Sequence, residues 1–137
     1  MLVTELIRRG AAWHGERTAI LFGDRSMTFR EVDRLSNRIA NTYIGALGLA
    51  RGSPISLLLT NGLHSIPCDF GGLKAGLRRT PLNGRLSLDE HCRMLELTGA
   101  RALVYGPTQV ERAAGLKATL PRLAVYGLGD CEIGPGL

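Results

Sequence analysis

A chain of 137 residues with 45% hydrophobic and 21% charged residues has the size of one ordinary folded domain and lies outside the composition range of disordered chains. Its formal charge is +5 and 15 of its 17 basic residues are arginine, which directs attention to phosphate-bearing or anionic-lipid partners. The excess is scattered, no block of five like charges occurs and aromatic residues make up only 5%, so the composition argues against a dedicated nucleic-acid binder.

The opening stretch, MLVTELIRRGAAWHG, places Glu5 early and its arginines after the apolar residues, the reverse of a secretory signal. Arg8, Arg9 and Arg17 flank Trp13. Their plain reading is the solvated face of a helix; an arginine-rich segment with an aromatic also suits contact with an anionic membrane surface. Thr18 to Phe22 and Ser26 to Phe29 then flank Gly23-Asp24-Arg25, which predicts a hairpin turning at Gly-Asp. Thr28-Phe29-Arg30-Glu31 is a capping-box pattern, in which hydroxyl and carboxylate each satisfy an orphan backbone N–H. The helix it starts carries Val32, Leu35, Ile39, Tyr43 and Ala46 on one stripe, with Gly48 as the stop.

Ile55 to Leu59 reads as a strand, far too short to span a bilayer. Pro67 interrupts the helix that follows, so that helix is predicted to start late, near Ser65 or Ile66, and to end at Gly76. Arg78 and Arg79 come next, before Pro81. Side chains of consecutive strand residues point to opposite faces, so a two-residue grip on one anion is awkward, and the pair is read first as a helix-to-strand boundary. Anion contact remains their second use. Arg79 to Leu82 is the second sheet strand, with Pro81 marking a strand entry or an edge rather than a central rung.

Ser87-Leu88-Asp89-Glu90 repeats the capping box, with Leu88, His91, Cys92 and Leu95 on one stripe and Gly99 as the stop. Thr108-Gln109-Val110-Glu111 reads as a third box, between strands at Ala102 to Tyr105 and Leu123 to Tyr126. Alternating strands and helices of these lengths predict an α/β fold of βαβ units on a mostly parallel sheet, with an N-terminal hairpin. Residues after about 127 read as an irregular tail. Cys68, Cys92 and Cys131 are spaced 24 and 39 residues apart, which fits neither a disulfide framework nor a zinc site and points to reduced thiols in a cytoplasmic protein.

Three segments taken together carry a resemblance: GDRSMTFREVDRLSNRIAN, LLLTNGLHSIPCDFGGLKAG and PLNGRLSLDEHCRMLELTGARALVY. Their order and spacing resemble the N-terminal quarter of AMP-forming acyl-CoA synthetases, the adenylate-forming enzymes, and within them the fatty-acyl-CoA ligase branch. The resemblance runs from about Leu6 to Tyr126 and makes residues 1–137 a partial N-terminal AMP-binding domain. It implies an enzyme that uses ATP and Mg²⁺ to convert a carboxylic acid to an acyl-adenylate and then passes the acyl group to coenzyme A. The sequence departs from the family at Pro67, at Gly52-Ser53-Pro54 where Gly-Asp is usual, and at Gly84 where proline is common.

The family's phosphate loop, adenine and ribose motifs, hinge and C-terminal lysine match nothing here, and no substitute offers itself. There is no G-x-x-x-x-G-K-[ST], no G-x-S-x-G and no H-E-x-x-H. The glycine run from Gly127 to Gly134 misses the dinucleotide spacing, since its third glycine falls two residues late. His14, His64 and His91 are too scattered for a triad or metal site, and His91 reads as a partly buried packing residue. No catalytic, cofactor-binding or metal-binding residue is therefore assigned. The expectation is an N-terminal fragment of an ATP-dependent long-chain fatty acid–CoA ligase, inactive alone and partnered by the missing C-terminal remainder. The alternative is a non-catalytic module that docks on a partner chain or on itself, drawn there by the open strand edge of an unfinished parallel sheet.

Overall fold

The computed structural model describes residues 2–129 and the backbone of 133–135. They form two compact units, one from residues 1–51 and 61–76, the other from residues 52–60 and 77 onward.

The first unit is helical. It comprises α1 (Thr4–His14), the hairpin β1 (Thr18–Phe22) and β2 (Arg25–Thr28), α2 (Phe29–Asn41) and α3 (Ser65–Lys74). Phe22 pairs with Arg25 across the Gly-Asp turn, as the sequence predicts. The Thr28 box forms in full: the Glu31 N–H donates to Thr28 Oγ1 at 3.2 Å and the Thr28 N–H donates to Glu31 Oε2 at 2.7 Å. Val32, Leu35 and Ile39 are buried on the predicted stripe. The helix does not run on regularly to Ala46, because Thr42–Ala46 widens into a π-helical turn that leaves Tyr43 fully buried. Gly48 closes it at φ 62°.

Pro67 is tolerated because α3 starts at Ser65, as expected from the proline. Pro67 is then the third helical residue, where an N–H would have no intrahelical partner, and the ladder opens with the Cys68 N–H on the His64 carbonyl at 3.0 Å. On the far side of α3 a Cβ at Gly71 would lie 2.5 Å from Ile39 Cγ2, so only glycine lets α2 and α3 approach this closely.

The second unit holds a five-stranded sheet in the order β4-β3-β5-β6-β7. Its strands are β3 (Pro54–Leu58), β4 (Arg78–Pro81), β5 (Ala102–Tyr105), β6 (Ala124–Leu128) and β7 (Ile133–Pro135); α4 (Leu88–Thr98) and α5 (Val110–Thr119) belong with them. The first four strands run parallel and β7 is antiparallel to β6. The sequence reading of an irregular tail is corrected here: β6 continues to Leu128, and the chain returns to satisfy the otherwise unpaired edge of β6. Cys131 and part of the glycine run lie outside the described residues.

Leu58, Leu103 and Val125 of the strands pack with Leu95 of α4 and Leu116 of α5 in one buried cluster. Each such side chain contributes about 1.5–3 kcal/mol relative to exposure. Ser56, also fully buried on β3, has an Oγ without a hydrogen-bond partner. β4 is an edge strand, as Pro81 predicts. The N–H groups of Arg78 and Leu82 donate inward to Ser53 and Leu57 at 2.9 and 2.8 Å, so alternation turns residues 79 and 81 outward. Pro81 has no N–H, so the outer side of β4 offers no donor at that position.

Candidate functional site

The strand order implies where a ligand would sit on such a sheet. From β3 the chain moves out to β4, returns past β3 to β5 and goes on to β6, so its direction of growth changes between β3 and β5. In open α/β sheets ligands bind outside the carboxyl ends of the strands at that switch point. Here those ends are Leu59-Thr60 and Gly106-Pro107-Thr108.

The exit of β5 is tied to β3 by the Gly106 N–H, which donates to the Leu58 carbonyl at 3.0 Å. Pro107–Gln109 then makes one 3₁₀ turn, closed by the Gln109 N–H on the Gly106 carbonyl at 3.0 Å. The third capping box is thereby overturned. Pro107 favours the tight turn, α5 starts one residue late at Val110, and no side chain caps it. The Thr108 hydroxyl instead faces that of Thr60, 3.3 Å away across the switch point. Two neutral hydroxyls beside a helix start can hydrogen-bond to an oxygen-rich ligand. They supply no nucleophile with an adjacent base.

The turn beyond β4 lies at the same carboxyl edge. The Arg85 N–H donates to Asn83 Oδ1 at 3.0 Å and the Leu86 N–H to the Asn83 carbonyl at 3.1 Å. His91 Nε2 lies 2.8 Å from that same carbonyl, while Arg112 Nη1 lies 3.2 Å from His91 Nδ1 and donates to the Leu86 carbonyl at 2.8 Å. A guanidinium only donates, so Nδ1 accepts and Nε2 carries the proton that goes to Asn83. His91 is thus fully buried and bonded at both nitrogens, a correction to its reading as a partly buried packing residue. Arg112 was not singled out from the sequence, because nothing local links it to a histidine 21 residues earlier.

The arginines named from the sequence have the following places in the fold. Arg8 is 72% exposed and lies 3.6 Å from Glu5. Arg9 covers the Trp13 ring, 4.4 Å from its centroid. Arg17 is exposed, and its backbone joins α1 to the hairpin through His14 and Phe29. These three belong to the helical unit, Arg78 and Arg79 to the sheet unit. Arg78 Nε donates to the Gly52 carbonyl at 2.8 Å, just ahead of β3. Arg79 is half-buried on the alternate side of β4.

Two further features concern chemistry. In the helical unit Lys74 Nζ donates to Asp33 Oδ1 at 2.6 Å, Asn37 Oδ1 at 2.8 Å and the Asp33 carbonyl at 3.2 Å, so its three protons are used. Burial pushes the Cys68 thiol up to about 11 despite the Tyr43 hydroxyl 3.1 Å from its Sγ, and burial raises the Cys92 thiol as well. Both read as inert, reduced thiols. Among the described residues no three of His, Cys, Asp or Glu converge to hold a metal, and no helix is long and apolar enough to cross a membrane.

Comparison with known proteins gives the following. The family described as AMP-binding enzyme matches residues 7–130. The long-chain-fatty-acid–CoA ligase FadD13 of Mycobacterium tuberculosis is 32% identical over 83 residues, which is 61% of this chain and 16% of that protein. A Rhodopseudomonas palustris structure described as a long-chain-fatty-acid CoA ligase superimposes on 99% of this chain with a TM-score of 0.86 at 25% identity, using 34% of its own length. The anthranilate CoA ligase AuaEII, solved with anthranoyl-AMP, gives a TM-score of 0.86 at 25% identity over 94% of this chain and 25% of its own. The chain therefore spans between about a sixth and a third of the length of these relatives.

Proposed function

Since the chain belongs to the AMP-binding enzyme family, we propose that it forms the N-terminal part of an adenylate-forming domain whose substrate is a long-chain fatty acid, activated with ATP and passed to coenzyme A. The observation that carries this reading is the sheet itself. Four parallel strands with a switch point between β3 and β5, preceded by a hairpin and a capped helix, follow the ligase structures over nearly the whole chain. The fatty-acid assignment draws on the ligase relatives; the anthranilate ligase shows that the same fold serves aromatic acids.

The residues present do not fit ATP and its metal. No carboxylate cluster among the described residues would hold Mg²⁺, and no glycine-rich loop with a lysine would cradle a triphosphate. No catalytic step is routed through them. This chain's share is a scaffold, with the Thr60 and Thr108 hydroxyls and the turn at Asn83 lining the carboxyl edge.

ATP–pyrophosphate exchange tests the reading in two ways. The purified 137-residue chain is expected to give none with palmitate, octanoate or benzoate, and measurable exchange would overturn the proposed division of labour. Residues 7–130 placed in the corresponding part of FadD13 are expected to support palmitoyl-CoA synthesis. A folded chimaera that activates benzoate but not palmitate would move the substrate class to aromatic acids.

A further inference from the structure

His91 and Arg112 have no reacting role in that reading, yet His91 is fully buried and bonded at both ring nitrogens, with the half-buried Arg112 as one partner. The ring of α4 donates to the Asn83 carbonyl, and a guanidinium from α5 donates both to that ring and to the Leu86 carbonyl. Two main-chain carbonyls of one short turn are thus held by side chains from two different helices. An apolar pair would fill the same space but leave the Leu86 carbonyl without its guanidinium donor and the Asn83 carbonyl with the Leu86 N–H alone.

The neighbours of the turn give the clamp its consequence. Gly84 sits close enough to the start of α5 that a Cβ there would lie 3.1 Å from Gln109 Nε2. Gln109 follows Thr108, whose hydroxyl meets Thr60. We propose that His91 and Arg112 are positioning residues, a clamp that holds the Asn83–Leu86 turn and the start of α5 as one pre-formed block at the carboxyl edge of the sheet. Neither touches a substrate. The proposal rests on the reading of this edge as the acid-activating side; the clamp has a readout independent of that activity.

Amide exchange at Arg85 and Leu86, with tryptic cleavage after Arg85, measures the clamp in the chain as it stands. In His91→Leu and Arg112→Met both are expected to accelerate by about tenfold or more, the effect of removing a buried hydrogen bond, while the amides of α2 keep their rates. His91→Gln is expected to behave as wild type, because its amide can donate to Asn83 and accept from Arg112. Unchanged turn amides in the Leu and Met variants would overturn the clamp, as would an equal acceleration throughout the chain. Failure of His91→Gln to rescue would do the same. If the Leu variant does not fold, Arg112→Lys, with one flexible ammonium in place of the fork, is expected to loosen the turn selectively, and an unloosened turn there would overturn the clamp. The exchange and cleavage readouts are taken on the chain itself and need no activity, so the two proposals fail separately.

Discussion

In the helical unit Lys74 of α3 meets Asp33 and Asn37 of α2, so a nearly buried charge is shared between side chains of adjacent helices. In the sheet unit Arg112 and His91 spend their donors on main-chain carbonyls. The contrast follows from secondary structure. Inside a helix the backbone groups are already paired, so Lys74 is held chiefly by side chains and its bond to the Asp33 carbonyl is the longest of its three, whereas the turn beyond a strand leaves carbonyls that need donors from elsewhere. The units also reach close packing differently. Gly71 removes a side chain so that two helices can touch, while β5, buried along its whole length, fills space with Leu103 and Val104.

Substitutions that act on one unit alone sharpen this contrast. The largest effect is expected from Leu103→Ala, which empties space in a fully buried cluster and should cost about 3 kcal/mol in denaturant unfolding. An unchanged midpoint would mean that the sheet unit is not the close-packed layer described. Gly71→Ala comes next. Its methyl would meet Ile39 and force α2 and α3 apart at a cost of about 2 kcal/mol, with exchange rising first in those two helices; a neutral Ala would show that the helices have room to spare.

Thr28→Ala should cost about 1 kcal/mol by removing the α2 cap. It also carries a pH signature. The Thr28 backbone N–H, and then its hydroxyl, hold the Glu31 carboxyl below its ordinary 4.5 in the folded chain. That contribution is present above 4.5 and is lost as pH falls through the lowered folded value. Thermal unfolding of Thr28→Ala should therefore be less sensitive to acid than wild type; Glu31 is too exposed for the difference to be large. The smallest effect is expected from Ser56→Ala. Its Oγ is buried without a partner, so removal should be neutral or stabilise by up to about 1 kcal/mol, and a marked loss would reveal a hydrogen bond to that hydroxyl.

What the sequence disclosed was local. The boxes at Thr28 and Ser87, the stops at Gly48 and Gly99 and the late start imposed by Pro67 all act within one helical turn, and each stands where expected. Thr108 misled because a box pattern cannot compete with Gly106-Pro107, which sets the tighter turn before the hydroxyl can cap. The π-turn at Thr42–Ala46 buries Tyr43 and contains Gly45, yet the apolar stripe runs through it without a sign of the change in winding. β7 was hidden because Ile133–Pro135 has no strand pattern of its own and forms only against β6. Nor could spacing disclose the polar hubs, since Lys74 lies 41 residues from Asp33 and Arg112 lies 21 from His91. For the candidate site this means that the family could be recognised from segment order, while Thr60, Asn83 and Thr108 are brought to one edge only by the strand order.

The outer side of β4 bears on how the molecule behaves in concentrated solution. A neighbouring strand that docked there would meet no N–H at Pro81 and would have to pass the side chains of a strand that holds two arginines and a proline. Sheet-to-sheet stacking of copies through this edge is thereby disfavoured, as a proline and two charged side chains disfavour it on any edge strand.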